Sequence, residues 1–193
     1  MTTALYRLAP APPGRSMMAA PGAVPPPRRR CEARLTDTPI PLRADINEIL
    51  RHMPHRYPIL LVDAVEAGER NKWVRTVKNV SANEWFFAGV PHGRRVMPQL
   101  LVVEALAQAA GVLCHFSGML SRIGRSIIFF AGIDGCRLER DVVPGDRLVL
   151  ECEMKRVLRG VAKISGRATV DGATVVTADL TAVMREMEPA GEA

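Results

Sequence analysis

The chain has 193 residues, of which 48% are hydrophobic and 24% charged, a composition typical of a globular protein with one domain. Its formal net charge of +6 predicts an acidic partner: a nucleic acid, a membrane surface or an acidic carrier protein. Aromatic residues make up only 5%, and no run of lysine and arginine is interleaved with them, which argues against nucleic-acid binding. The four cysteines lack C-x-x-C spacing, so they give no support to a metal site and fit a reducing compartment.

Residues 1–42 are rich in proline, alanine and arginine and show no hydrophobic periodicity, so we expect a disordered tail. A single domain is predicted over residues 43–187, with a flexible end at 188–193. The tail has no long apolar core, which argues against a secretory signal. We expect a cytoplasmic protein, with an organellar location as the alternative because the tail is poor in acidic residues.

Ordered structure is predicted to begin near Asp45, a good N-cap for a short helix that ends before Pro54. Two buried strands and a short turn or helix are predicted next, at residues 59–65, 73–80 and 83–87. A long helix follows, with Pro98 well placed in its first turn.

Beyond this helix the hydrophobic period changes to the two-residue alternation of strands. Strands are predicted at residues 127–133, 148–155, 162–170 and 174–184. Arg159-Gly160 and Asp171-Gly172 are typical hairpin turns. Consecutive hairpins give an antiparallel sheet with one polar face, and one long helix can cover the other face. The pattern therefore predicts an α+β fold, an antiparallel sheet wrapped around one long buried helix.

Glu104 interrupts an almost unbroken apolar run from Pro98 to Cys114. A helix that is apolar on all sides is buried, and an unpartnered carboxylate inside it costs several kcal/mol. The run approaches the ~20 residues of a membrane span, but Glu104, Gln108 and His115 interrupt it, so no span is predicted. Such a helix needs more cover than one sheet provides, which predicts a homodimer.

The loop before this helix supplies His92 near the helix start. A carboxyl group and an imidazole in an apolar cleft indicate proton-transfer chemistry. The structural alternative is that Glu104 caps a backbone group or pairs with an arginine.

Several motifs resemble the (3R)-hydroxyacyl-[acyl-carrier-protein] dehydratase family of type II fatty-acid synthesis. They are Pro54-His-Arg-Tyr-Pro-Ile-Leu-Leu-Val-Asp63, Val96-Met-Pro98, Glu104-Ala-Leu-Ala-Gln-Ala-Ala-Gly111, Phe130-Ala-Gly-Ile-Asp134 and Val143-Pro-Gly-Asp146. The resemblance covers about residues 45–185 and implies the hotdog fold, a dimer or a trimer of dimers, and no metal or organic cofactor.

In that family a histidine and a glutamate from opposite subunits remove water from a 3-hydroxyacyl thioester carried on acyl carrier protein. The resemblance implies that Glu104 is this carboxylate, that Gln108 orients it, and that backbone N–H groups at the helix start hold the thioester oxygen. It places the substrate-binding residues at Gly89, Val90, Met97, Pro98, Gln99, Gln108 and Phe130. His55, within the Pro-His-Arg-Tyr-Pro motif, is interpreted as structural.

The loop departs from the family pattern, which reads Gly-His-Phe-Pro-Gly-x-Pro-Val-Met-Pro-Gly. Val90 occupies the position of the catalytic histidine, His92 that of a proline, and Gln99 that of the final glycine. Three explanations are open: a rerouted loop that brings His92 to the site, a degenerate relative, or a slip in the sequence itself.

The predicted activity is a lyase that forms trans-2-enoyl thioesters, with Glu104 acting on the hydroxyl and His92 as the local candidate for the base. The alternatives are a non-catalytic subunit that binds acyl thioesters or an active paralogue, and a thioesterase.

Overall fold

The computed structural model describes residues 43–89, 93–119 and 126–186. Two α-helices lie in these ranges, α1 (Ile46–His52) and α2 (Gln99–Phe116), with a short 3-10 helix at Trp85–Phe87 between them. Asp45 caps α1 as predicted, its carboxylate accepting a 2.9 Å hydrogen bond from the Glu48 N–H. Pro98 is the N-cap residue of α2, so the helix begins one residue later than predicted.

Six strands in the described residues form one antiparallel sheet. They are β1 (Ala64–Glu69), β2 (Trp73–Asn79), β3 (Ser126–Leu138), β4 (Arg147–Leu158), β5 (Val161–Val170) and β6 (Ala173–Glu186). Their order is β1-β2-β4-β5-β6-β3, which leaves β1 and β3 at the two edges. The predicted turns at Arg159-Gly160 and Asp171-Gly172 are confirmed, and all four residues have positive φ.

One strand prediction was wrong at its start, since only residues 64–65 of the predicted 59–65 belong to a strand. Residues 59–63 lie outside the ladder, and β1 begins only at Ala64. Leu61 and Val62 are nevertheless buried, which explains why the segment has the hydrophobic pattern of a strand. The Leu61 N–H donates to the Gln108 side chain on α2, 2.9 Å away, so here a helix side chain replaces a neighbouring strand.

The sheet wraps around α2, as the hydrophobic pattern predicts. Leu106, fully buried on α2, faces Gly166 on β5, and a Cβ built on Gly166 would lie only 2.9 Å from the leucine side chain. Cys114 and Cys152 are core residues as expected, and burial raises the pKa of the Cys114 thiol to about 12. By length and composition α2 could cross a membrane, but 67% of it is buried inside the protein, as in a core helix.

Candidate active site

Glu104 lies near the start of α2, with 37% of its side chain exposed. We expected α2 to be buried on all sides, and this holds only for its later turns. The first turn of α2 extends past the cover of the sheet, since Gln99 is exposed and Leu100 is 79% exposed. A carboxyl group at this boundary is fixed by the helix yet open to a ligand.

Gln108 lies one turn further along the same face of α2 and is fully buried. Its Nε2 donates to Glu104 Oε1 at 2.8 Å and to the Ile59 carbonyl at 2.7 Å. Its Oε1 accepts the Leu61 N–H at 2.9 Å. Gln108 thus contacts Glu104 directly, its orienting role stays a prediction, and the same amide fixes residues 59–61 against the helix.

The segment from His52 to Leu61 covers one face of α2. Met53 lies against Gly111, where a Cβ would come within 3.3 Å of the methionine methyl group. At the far end of this face His52 Nδ1 and His115 Nε2 are 2.9 Å apart. Residues 104, 108, 111 and 115 recur every three or four positions, so they form one stripe along the helix.

His55 lies beside Glu104 in the same chain. Its Nε2 is 3.9 Å from Glu104 Oε1, too far for a hydrogen bond. Its Nδ1 is buried and has no partner among the described residues. Sequence reasoning missed this neighbour of Glu104, because it interpreted His55 as structural; the available signal was an imidazole within a motif that resembles the family.

The loop that leads to α2 is fixed on both sides of its undescribed part. Before it, the buried Lys78 ammonium on β2 forms an ion pair with Glu84, the residue that precedes the 3-10 helix. After it, Arg94 bonds Asp141 at 2.8 Å, and the Met97 N–H donates to the Val142 carbonyl at 2.8 Å. Two of the predicted site residues, Val90 and His92, lie outside the described residues.

The remaining predicted substrate-binding residues lie around the start of α2 or on β3. Gly89 has a φ of +75° and ends the described part of the loop. Met97 is fully buried, Pro98 and Gln99 are exposed at the helix start, and Phe130 packs half-buried against the core. Their contacts with a substrate stay predictions.

Gln99 is helical, so the family's glycine is not required there for a positive φ. Among the described residues, the non-glycine residues with positive φ are Asn71, Arg159 and Asp171. The Leu101 and Val102 N–H groups bond the Pro98 carbonyl, which leaves those of Gln99 and Leu100 ahead of the first helical hydrogen bonds, where the helix dipole favours negative charge. That this end of α2 holds the thioester oxygen stays a prediction.

In the part of the chain that the structure describes, no three histidine, cysteine, aspartate or glutamate side chains are grouped closely enough to hold a metal ion. A cavity of about 590 Å³ lies between Lys72, Trp73, Glu153 and Arg167 on the sheet, lined by none of the predicted site residues.

Comparison with known proteins gives the family. Residues 53–179 match the model of the FabA-like domain. The 3-hydroxyacyl-[acyl-carrier-protein] dehydratase FabZ of Thiobacillus denitrificans is 49% identical over 142 residues, 74% of this chain and 98% of the relative. The enzyme of the same name from Albidiferax ferrireducens is 47% identical over 143 residues, 74% of this chain and 95% of the relative.

Solved structures give the fold. The dehydratase heterocomplex ApeI:P of Xenorhabdus doucetiae aligns with a TM-score of 0.60 at 18% identity, covering 71% of this chain and 90% of that one. An uncharacterised protein, PH1136 of Pyrococcus horikoshii, aligns with a TM-score of 0.54 at 10% identity, covering 75% and 93%. The fold is the hotdog fold, and the chain belongs to the FabA-like family of 3-hydroxyacyl-[acyl-carrier-protein] dehydratases.

Proposed function

We propose that this protein is a hydro-lyase that removes water from (3R)-3-hydroxyacyl thioesters on acyl carrier protein and forms trans-2-enoyl thioesters in fatty-acid synthesis. The observation that carries the proposal is the Glu104 carboxyl, held by Gln108 at the open end of α2, in a chain 49% identical to such a dehydratase. The net charge of +6 suits an acidic carrier protein.

The reaction needs a base for the C2 proton and an acid for the departing hydroxyl. Glu104 is the acid: its Oε1 is fixed by the 2.8 Å bond from Gln108, so the carboxyl keeps one orientation. His92 is the candidate for the base. The N–H groups at the start of α2 stabilise the negative charge that develops on the thioester oxygen when C2 loses its proton. Gly89, Val90, Met97, Pro98, Gln99 and Phe130 are proposed to line the acyl path.

The functional unit is proposed to be a homodimer, with a trimer of dimers as a further possibility. The edge strand β3 supports it, because large apolar side chains along it are exposed in the single chain: Ile127, Phe129, Ile133 and Leu138. A second copy could cover them and extend the sheet by pairing with the free edge.

The cytoplasm is proposed as its compartment, since the relatives described above are bacterial enzymes and lend no support to an organellar location.

The function is tested by hydration of crotonyl-carrier protein, measured as the loss of enoyl absorbance. We expect turnover by the purified protein and a loss of at least about 100-fold in Glu104→Gln, which keeps the shape but cannot donate a carboxyl proton. Release of free thiol would instead indicate a thioesterase. No turnover from a folded oligomer would contradict the proposal and favour a non-catalytic acyl-binding subunit.

A further inference from the structure

The His55 ring is held in a defined place by its neighbour in the chain. The Arg56 guanidinium donates to three carbonyl oxygens, those of Met53 at 2.6 Å, His55 at 2.7 Å and Leu50 at 2.9 Å. These bonds tie the turn that carries His55 to the end of α1. The backbone that carries the imidazole is therefore held in place near Glu104 by hydrogen bonds.

The surroundings of the two ring nitrogens indicate which one carries the proton. His55 Nδ1 is buried and has no partner in the described part of the chain, whereas Nε2 lies on the side of Glu104 Oε1, a hydrogen-bond acceptor. Neutral His55 is therefore assigned the Nε2–H tautomer. The ring is 31% exposed and the Glu104 side chain 37% exposed, so the space next to this nitrogen and the carboxyl group is accessible from solvent.

The distance between the His55 and Glu104 side chains allows one oxygen atom to form hydrogen bonds with both. His55 Nε2 and Glu104 Oε1 are 3.9 Å apart, so they do not bond to each other. A single oxygen placed to one side of the line between them can lie within about 2.8 Å of both, the length of an ordinary hydrogen bond. A substrate hydroxyl is such an oxygen.

We propose that His55 is a further catalytic residue, whose Nε2–H donates a hydrogen bond to the 3-hydroxyl oxygen of the substrate while Glu104 protonates that oxygen. The proposal rests on the proposed dehydratase function. It assigns His55 the role of donor to the leaving group, distinct from the base that takes the C2 proton.

The step balances as follows. The base removes the proton from C2, and the electron pair of that C–H bond becomes the second bond between C2 and C3. The C3–O bond breaks, its electron pair stays on oxygen, and the Glu104 proton completes a water molecule. The His55 N–H bond stays intact and stabilises the charge that grows on the departing oxygen.

Two variants distinguish a donor from a base. His55→Ala should lower kcat for 3-hydroxybutyryl-carrier protein by about 100- to 1,000-fold with little change in KM, the usual effect of losing one preorganised donor. His55→Gln keeps an N–H donor at a similar reach but cannot serve as a base, so it should recover most of the lost kcat. His52→Gln, an imidazole replaced three residues away, is the matched control and should leave kcat unchanged.

Binding supplies a readout that does not depend on turnover. In a Glu104→Gln background, the protein should bind 3-hydroxybutyryl-carrier protein more tightly than butyryl-carrier protein, and adding His55→Ala should abolish that preference. Equal loss of kcat in His55→Ala and His55→Gln, at unchanged melting temperature, would overturn the donor role. So would an unchanged preference for the hydroxyacyl ligand. An inactive wild-type protein would contradict the proposed function, and the binding comparison would still decide the role of His55.

Discussion

At the scale of single residues, the stripe on α2 has a polar group at each end. Glu104 and Gln108 form the end near the proposed chemistry, and His115 forms the other end with His52. The Gln108 amide bonds both the backbone and the proposed site. It accepts the Leu61 N–H, and it donates to the Ile59 carbonyl and to Glu104. His115 is joined through His52 to Glu48, whose Oε1 lies 2.9 Å from His52 Nε2.

The stability of the protein should depend on pH through His115. Burial, with a further contribution from the nearby His52 charge, lowers the pKa of His115 below its ordinary value of 6.5. The unfolded chain then binds more protons, so the stability is complete above that value and is lost as pH falls through it toward the folded pKa.

Urea unfolding at several pH values between 7.5 and 5 measures this effect. The wild-type free energy of unfolding should decrease over that range, and His115→Gln should show a smaller decrease because the titrating group is gone. Parallel pH profiles of the two proteins would contradict the assignment.

At the scale of elements, helix and sheet approach so closely at Gly166 that a Cβ there would require the facing side chain to move. The Cβ of an alanine at Gly166 would lie 2.9 Å from Leu106 Cγ and Cδ2, and both residues belong to rigid elements. The close packing between β5 and α2 therefore depends on a leucine on the helix that faces a glycine on the strand.

Gly166→Ala should lower the free energy of unfolding by about 1–3 kcal/mol, as is usual for overpacking in a core. Denaturant unfolding measures it. Gly132→Ala is the matched control, since its Cβ would meet only Thr181 Oγ1 at 3.9 Å, an ordinary contact. If the clash is the cause, combining Gly166→Ala with Leu106→Ala should cost less than the sum of the two single changes. A fully additive result would contradict it.

At the scale of the whole molecule, the open end of α2 and the free edge at β3 both leave apolar surface exposed in one chain. Leu100 is 79% exposed and Phe129 52% exposed, and apolar patches that contain such side chains often mark protein–protein contacts. A second copy would cover this surface, which is why the homodimer and the site are proposed together.

Ile133→Arg should shift the protein toward monomer and lower activity with it, because a charge replaces an apolar side chain that is 47% exposed on the edge strand. Sedimentation velocity across a concentration series measures the shift. Val157→Arg, on β4 and 44% exposed, is the matched control and should keep the oligomer intact. An oligomer unaffected by Ile133→Arg would contradict the proposed interface.

Much of the fold could be predicted because its signals are local. The apolar run from Pro98 to Cys114 predicted the buried helix, and the glycine turns at 160 and 172 predicted the hairpins. The spacing of Glu104 and Gln108 placed them on one face, since residues four apart in a helix are neighbours. Residues 59–63 misled the prediction, because burial against a helix leaves the same hydrophobic pattern as burial in a sheet.

The sequence by itself determined most of the elements and, through its motifs, the family, and it singled out Glu104 as the candidate carboxyl group. Only the tertiary structure decided that residues 52–61 lie along the stripe of α2, which brings His55 within 3.9 Å of Glu104. It also decided that β3 is an edge strand. The physical reason is that hydrophobic periodicity reports which face of an element is buried, whereas the segment that covers that face is chosen by contacts between residues far apart in the chain.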